Sequence, residues 1–205
     1  MLRTLSFGSL DKTTFTVADT IPSQGAIHWS YYKGLLVQSK PVSCPEWPGK
    51  KNPLLLTGLP VEVDGFSFNC RIPILPDDLD ICQAVDWGEW RFWAVKWTNQ
   101  KAPYIVDLNR RWKGAPSKEE NPNAWLRLIM EPLPLTPEQF VGRPVKLMFQ
   151  AYILRGYLNE ITSYDLVCQM TEDTHISPDW GTKKEGKIYI DREAVINIAP
   201  NEEDL

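Results

Sequence analysis

Apolar and polar positions alternate along much of this chain with a period of two, the pattern of strands that bury one face. The alternation is clearest near the C-terminus, where Val145, Leu147 and Phe149 interleave with Lys146, Met148 and Gln150. Tyr152 to Ile161 continues it, with Gly156 inside the run, where a strand must bend sharply or admit a bulge. Tyr164 to Met170 gives a third apolar run, and Lys187 to Ile190 and Ala194 to Ile198 give two short ones. Five strands between Gly142 and Ala199 predict a small closed barrel, because closure removes exposed sheet edges. Upstream, Thr136-Pro137-Glu138-Gln139 places a capping hydroxyl, a proline at the first helical position and an acid in the first turn. One short helix is therefore expected to lead into the barrel.

The first part of the chain predicts further short strands over Thr13–Ala18, Ile27–Tyr32 and Leu35–Gln38, the last after the turn Lys33-Gly34. The segment 41–53 carries four prolines, which argues against a helix or a central strand and predicts a long loop. Residues 61–72, VEVDGFSFNCRI, read as a hairpin about Asp64-Gly65, the dipeptide suited to two successive positive φ angles. Asp77, Asp78 and Asp80 fall at the start of a short helix, where acids favour the positive end of the dipole, and are read as its solvated cap. In the stretch 87–97, Arg91, Trp93, Val95 and Trp97 would share one strand face and Trp90, Phe92, Ala94 and Lys96 the other. Packing on both sides is the first expectation; an aromatic platform for a sugar, peptide or unstacked base, built from Trp90, Trp93 and Trp97, is the alternative. Arg111 beside Trp112 offers a stacked cationic patch, against the plainer reading of a solvated turn. Ala124 to Met130 is expected to be one closing strand, with Trp125 and Arg127 alternating against Leu126 and Leu128.

The fold class expected is mainly β, with few short helices. A β-rich, tryptophan-rich domain would cover residues 1–131 and a stiff proline-rich linker 132–135. A five-stranded barrel of the Sm-like or SH3-like kind would cover 136–200, with an acidic tail over 201–205.

A length of 205 residues accommodates two small domains, and a net charge of −4 with 43% hydrophobic residues is ordinary for a globular protein. No window of the sequence is apolar enough to predict a membrane span, and the first residues lack the apolar core of a signal peptide. A cytoplasmic location, or a place inside a phage or other bacterial assembly, is the default expectation. Cysteines at 44, 70, 82 and 168 form no C-x-x-C pair, and the two histidines, His28 and His175, lie far apart in sequence. No metal site or cofactor is expected, and the thiols are read as buried and free. No phosphate-binding glycine loop, nucleophile elbow or zinc-protease helix is present, so no enzymatic activity is expected.

The C-terminal pattern, a short helix followed by G-x-x-V-x-L at 142–147, Gly156 and Leu158, resembles the Sm-like family, which includes the bacterial Hfq proteins. Asp191-Arg192-Glu193-Ala194-Val195 stands where that family turns between its last two strands. The resemblance implies a ring-forming barrel whose rim would comprise Tyr164, Asp165 and Arg192. Thr162 stands where the family has an acid, Asp165 where it has a base-contacting asparagine, and Arg192-Glu193 where the Hfq type has Lys-His. Residues 136–205 hold seven Lys or Arg against twelve Asp or Glu, a balance that disfavours nucleic acid as partner. Residues 61–132, with DGFSFNCRI, an acidic helix start, tryptophan-rich strands and WLRLIMEP, distantly resemble bacterial C-type-lectin-like proteins.

Together these features predict a non-catalytic binding or assembly protein, with self-association or a protein partner and no membrane partner. An aromatic surface on the first domain would carry Trp90, Trp93, Trp97, Arg111 and Trp112, with Trp180 contributing from the insert between the third and fourth barrel strands. The alternatives are single-stranded RNA binding at the barrel rim and loop, and a carbohydrate-processing enzyme with carboxylates near Asp77–Asp80.

Overall fold

The structure, a computed structural model, describes residues 4–85, 91–96, 99–107, 113–116, 123–134, 136–170 and 180–201. It is mainly β, and none of its described helices is long and apolar enough to cross a membrane. Its contacts group the chain into two compact units, Met1–Asp64 with Phe68–Pro132, and Gly65–Ser67 with Leu133–Leu205.

The first unit contains β1 (Thr4–Phe7), β2 (Ser9–Asp11), β3 (Thr16–Ala18), β4 (Ile27–Tyr32), β5 (Leu35–Gln38), β6 (Val42–Ser43) and helix α1 (Pro48–Lys51). It continues with β7 (Leu59–Val63), β8 (Phe66–Arg71), β9 (Ile74–Leu75), helix α2 (Leu79–Ala84), β10 (Arg91–Lys96) and β11 (Asn99–Asp107). β12 (Lys113–Pro116), β13 (Ala124–Leu126) and β14 (Ile129–Pro132) complete it. One sheet runs β1-β4-β5-β14-β8-β7; a second runs β12-β11-β10-β13-β6, with β9 also on β10; β2 and β3 form a separate hairpin. The β4–β5 and β7–β8 turns take positive φ at both central residues, 49° and 83° at Lys33-Gly34 and 53° and 85° at Asp64-Gly65. That geometry matches the right-handed twist of the flanking strands.

β10 is buried on both faces. Phe92 and Ala94 pack with Val37, Ile81, Cys82, Val106 and Ile129, while Trp93 meets Trp47 edge-on with ring centroids 5.3 Å apart. The Trp93 indole N–H donates to the Cys44 carbonyl at 2.7 Å, so the ring's polar atom is satisfied inside the core.

Four expectations change here. The proline-rich segment does hold one helical turn, because Pro48 occupies its first position, where no backbone N–H is needed. Residues 124–130 are not one strand: the chain leaves the second sheet after Leu126 and enters the first at Ile129, so Arg127 sits in the crossing, 1% exposed. β14 runs through Pro132, which pairs with Phe68, so the expected linker starts after it. Asp78 is also more than a solvated cap. Its side chain, 4% exposed, takes a fork-to-fork pair with Arg71, Nη2 to Oδ1 at 3.0 Å and Nη1 to Oδ2, and accepts the Ile74 N–H at 2.6 Å. Asp77 and Asp80 are exposed and fit the solvated reading, Asp80 with an ion pair to Lys33 at 2.5 Å.

In the second unit a 3-10 turn at Pro137–Phe140 precedes β15 (Arg143–Met148), β16 (Ile153–Ile161), β17 (Asp165–Met170), β18 (Gly181–Lys184) and β19 (Lys187–Asp191). A second 3-10 turn, Arg192–Ala194, joins β19 to β20 (Asn197–Pro200). The sheet order is β18-β19-β17-β16-β15-β20, and Val145, Leu147, Leu158, Leu166, Ile188, Ile190 and Ile198 share one core. Residues from β15 through β20 thus face a common interior, as in a small barrel. The sheet has six strands instead of five, and among the described residues its ladder ends at β18 and β20 without a closing pair. The bulge of β16 falls between Leu158 and Glu160, beyond Gly156, which keeps its pairing to both Val145 and Met170. The unexpected strand β18 comes from the insert and depends on Gly181, where a Cβ would lie 2.4 Å from the Tyr189 carbonyl oxygen.

Removing one partner of a buried ion pair leaves an uncompensated charge. Asp78→Ala is expected to lower unfolding free energy by about 3–5 kcal/mol in urea titration, whereas Asp80→Ala, at a solvated pair, should leave it nearly unchanged. Equal effects would contradict the burial contrast.

Candidate functional site

A cleft of about 730 Å³ opens in the first unit, lined by three chain segments: Ser9–Lys12 with Ala18, Ile21 with Gln24–His28, and Gln38 with Lys40–Val42. Its size lies within the range of small-ligand sites.

Each wall is tied by hydrogen bonds to another part of the unit. Ile21 N–H donates to Ser9 Oγ at 2.7 Å, and Ile27 N–H donates to the Gly8 carbonyl at 3.0 Å. Thr20 is anchored in turn to the Asp64 carboxylate, through its N–H at 2.8 Å and its hydroxyl at 2.6 Å. The 38–42 wall leaves a buried polar junction. Gln38 N–H donates to the Leu128 carbonyl at 2.9 Å and Gln38 Oε1 accepts the Leu128 N–H at 3.0 Å. Arg127 Nη1 donates to the carbonyls of Gln38 at 3.0 Å and Ser39 at 2.6 Å. Ser39 N–H then donates to the His28 carbonyl at 2.7 Å, joining two of the walls.

The surface is mixed. Leu10, Ile21, Ile27 and Val42 supply apolar lining, and Ile21 is 41% exposed, an unusual position for so large an aliphatic side chain. Lys12 and Lys40 supply two cations against one carboxylate, Asp11. The Thr14 hydroxyl and then the Thr13 N–H, each at 2.7 Å, hold Asp11 below the usual aspartate range, so it stays ionised. His28 Nδ1 shares a 2.7 Å hydrogen bond with Ser6 Oγ, its direct cross-strand neighbour on β1. Among the described residues no carboxylate hydrogen-bonds His28, so this Ser–His contact lacks the third member that would orient it for nucleophilic catalysis.

The four cysteines are buried and free, as their spacing suggests. Burial pushes the thiols of Cys44, Cys70 and Cys168 up to about 12 and that of Cys82 higher still, which makes all four poor nucleophiles. No group of His, Cys, Asp or Glu among the described residues is arranged to hold a metal ion.

Of the residues expected to bind, Trp93 is a core residue and cannot form a surface platform: it is 0% exposed. Trp90, Trp97, Arg111 and Trp112 lie outside the described residues. Trp180 is half-buried, stacked on Phe149 at 5.6 Å and tilted against Tyr152 at 5.0 Å, and so packs on the second unit's own core. Tyr164, Asp165 and Arg192 do come together at one corner. Arg192 N–H donates to the Tyr164 carbonyl at 3.0 Å, and Asp165 pairs with Asp191. Tyr164 is 80% exposed, while the Arg192 guanidinium donates to the Thr162 carbonyl at 3.3 Å and lies 3.9 Å from Glu138. Of the last two strands, the edges a ring-forming barrel would use, β19 is paired on both sides, by β17 and β18, whereas β20 pairs only β15 among the described residues.

The cleft itself was not legible as a site. Ser9, Lys12, His28 and Lys40 are scattered in sequence, with no spacing that joins them. Comparison of the chain with family models, with curated proteins and with solved structures gave no match.

The raised thiols fix a pH response. Burial favours the protonated form, so folding stability should fall as pH climbs from about 8.5, where unfolded thiols ionise, towards 12. A thiol-specific disulfide reagent near neutral pH should titrate no fast-reacting group in the native protein and all four in denaturant. Rapid native labelling of even one would contradict the burial described.

Proposed function

We propose that this chain is a non-catalytic binding protein whose ligand site is the cleft between the β2–β3 hairpin, the 21–28 segment and the 38–42 segment. The observation that carries this reading is a small-ligand-sized cleft whose walls are held by Asp64 through Thr20 and by Arg127, and whose lining includes exposed aliphatic surface. Such preorganisation lowers the ordering cost of binding. Chemistry is disfavoured by the sealed thiols, by the Ser6–His28 contact without an orienting acid, and by the engagement of Asp78 with Arg71. That last pairing also removes the carboxylate that a sugar-processing site near Asp77–Asp80 would need.

In this reading the second unit is a small barrel of the Sm-like or SH3-like kind. Ring formation through β19 is not favoured, since both edges of that strand are already bonded. A second reading keeps one observation in its favour: exposed Tyr164 beside Arg192 could stack an unpaired RNA base. The acidic balance of the unit and the internal contacts of Arg192 weigh against it.

Thermal-shift screening with a chemically diverse small-molecule set tests the first reading. Stabilising compounds are expected, and their effect should disappear in Ala26→Trp, which fills the cleft. Compounds that stabilise both proteins equally would refute the site. Light scattering of the full chain should give the mass of a monomer. Salt-dependent binding of a single-stranded oligoribonucleotide, weakened by Arg192→Ala, would move the assignment to the barrel rim.

A further inference from the structure

We infer that the cleft takes a small organic anion with an apolar body, its anionic group drawn by Lys12 and Lys40 and its body seated on Leu10, Ile21 and Ile27. The inference deepens the reading of the cleft as the binding site and rests on it.

The charge pattern is the first observation. The chain as a whole carries −4, yet the residues lining the cleft carry two lysines against one aspartate. The exception, Asp11, is occupied: its carboxylate oxygens accept the Thr13 N–H and the Thr14 hydroxyl within its own turn. Lys12 and Lys40 have no ion pair or hydrogen bond among the described residues, in contrast to Lys33 and Lys51, which pair with Asp80 and Glu46. Two cations on separate wall segments of a cleft, in an acidic protein, form a local field that favours an anion.

Polar recognition has a third contributor. Ser6 holds the Nδ1 side of the His28 ring, which leaves Nε2 as the remaining polar atom of a residue that lines the cleft. A neutral imidazole can donate there as readily as an imidazolium, depending on tautomer. The apolar contribution comes from the other lining residues. Ile21 is 41% exposed in the unliganded protein, and its cover by a hydrocarbon or aromatic body would remove that area from water. A fully hydrophilic anion such as inorganic phosphate would leave this surface unused; a neutral apolar compound would leave the lysines unused.

Two fluorescent probes of matched ring system separate these terms: 8-anilinonaphthalene-1-sulfonate, an anion, and N-phenyl-1-naphthylamine, its uncharged counterpart. The sulfonate is expected to bind the full chain saturably at one equivalent. Lys12→Glu and Lys40→Glu, both at exposed positions, should each weaken it by about tenfold, and should leave the uncharged probe unchanged. Ile21→Asp and Ala26→Trp should weaken both probes, with circular dichroism confirming that each variant is folded. If both probes bind equally and the lysine reversals change neither, while Ala26→Trp or Ile21→Asp abolishes both, the anion assignment is wrong and the cleft remains the binding site. If the probes do not bind, or bind equally to the cleft-altered variants, both the anion assignment and the cleft reading fall.

Discussion

The first unit depends on how its chain passes between two sheets. Two of its passages, from β5 to β6 through residues 39–41 and from β13 to β14 through Arg127 and Leu128, meet each other. Loops that cross between layers carry backbone groups that no ladder satisfies. Here the two crossings satisfy each other: Gln38 exchanges both backbone and side-chain bonds with Leu128, and Arg127 caps the carbonyls of Gln38 and Ser39. A polar junction of this kind is stabilising only when its members are all in place, because each group left alone in the interior costs its desolvation. The same junction sets the position of Lys40–Val42, so one wall of the cleft inherits its rigidity from the core.

That coupling bears on what the cleft can do. A binding surface built on mobile loops spends part of its interaction energy on ordering them. In this unit the 21–28 wall hangs on Asp64 through Thr20, and the 38–42 wall hangs on Arg127. Ligand contacts therefore meet a framework already organised by interactions that the ligand does not touch. The Ser6–His28 pair belongs to the same logic: it is the cross-strand neighbour relation of two adjacent strands, and its effect is to orient an imidazole at the mouth of the site.

How far this was readable in sequence varied with the range of the interaction. Local chemistry was legible: Asp64-Gly65 and Lys33-Gly34 carry the positive φ angles that their turns require, and the alternation of Val145, Leu147 and the runs after them marks the inner face of the second unit. Non-local outcomes were not. Arg127 alternates with leucines as though it faced solvent, and only the break between two sheets makes it a buried residue. Two-sided packing was the first expectation for Trp93, but a surface platform stayed open, since a strand buried on both faces has no polar side to betray it. Asp78 read as a cap because the helix that follows it is visible in sequence and Arg71 on β8 is not. The cleft combines residues from three segments whose spacing has no period, so no pattern announces it.

The strand β18 has a further meaning for the second unit. Without it the sheet would end at β19, with a row of unpaired N–H and C=O groups facing outward. The chain supplies its own terminal strand from the insert, and that strand is short, begins with a glycine that a side chain cannot replace, and ends in Lys183 and Lys184, both exposed. Lysines on a last strand make a poor template for another backbone. The insert thus acts as a terminator at this edge of the ladder, while among the described residues β20, paired only with β15, ends the other.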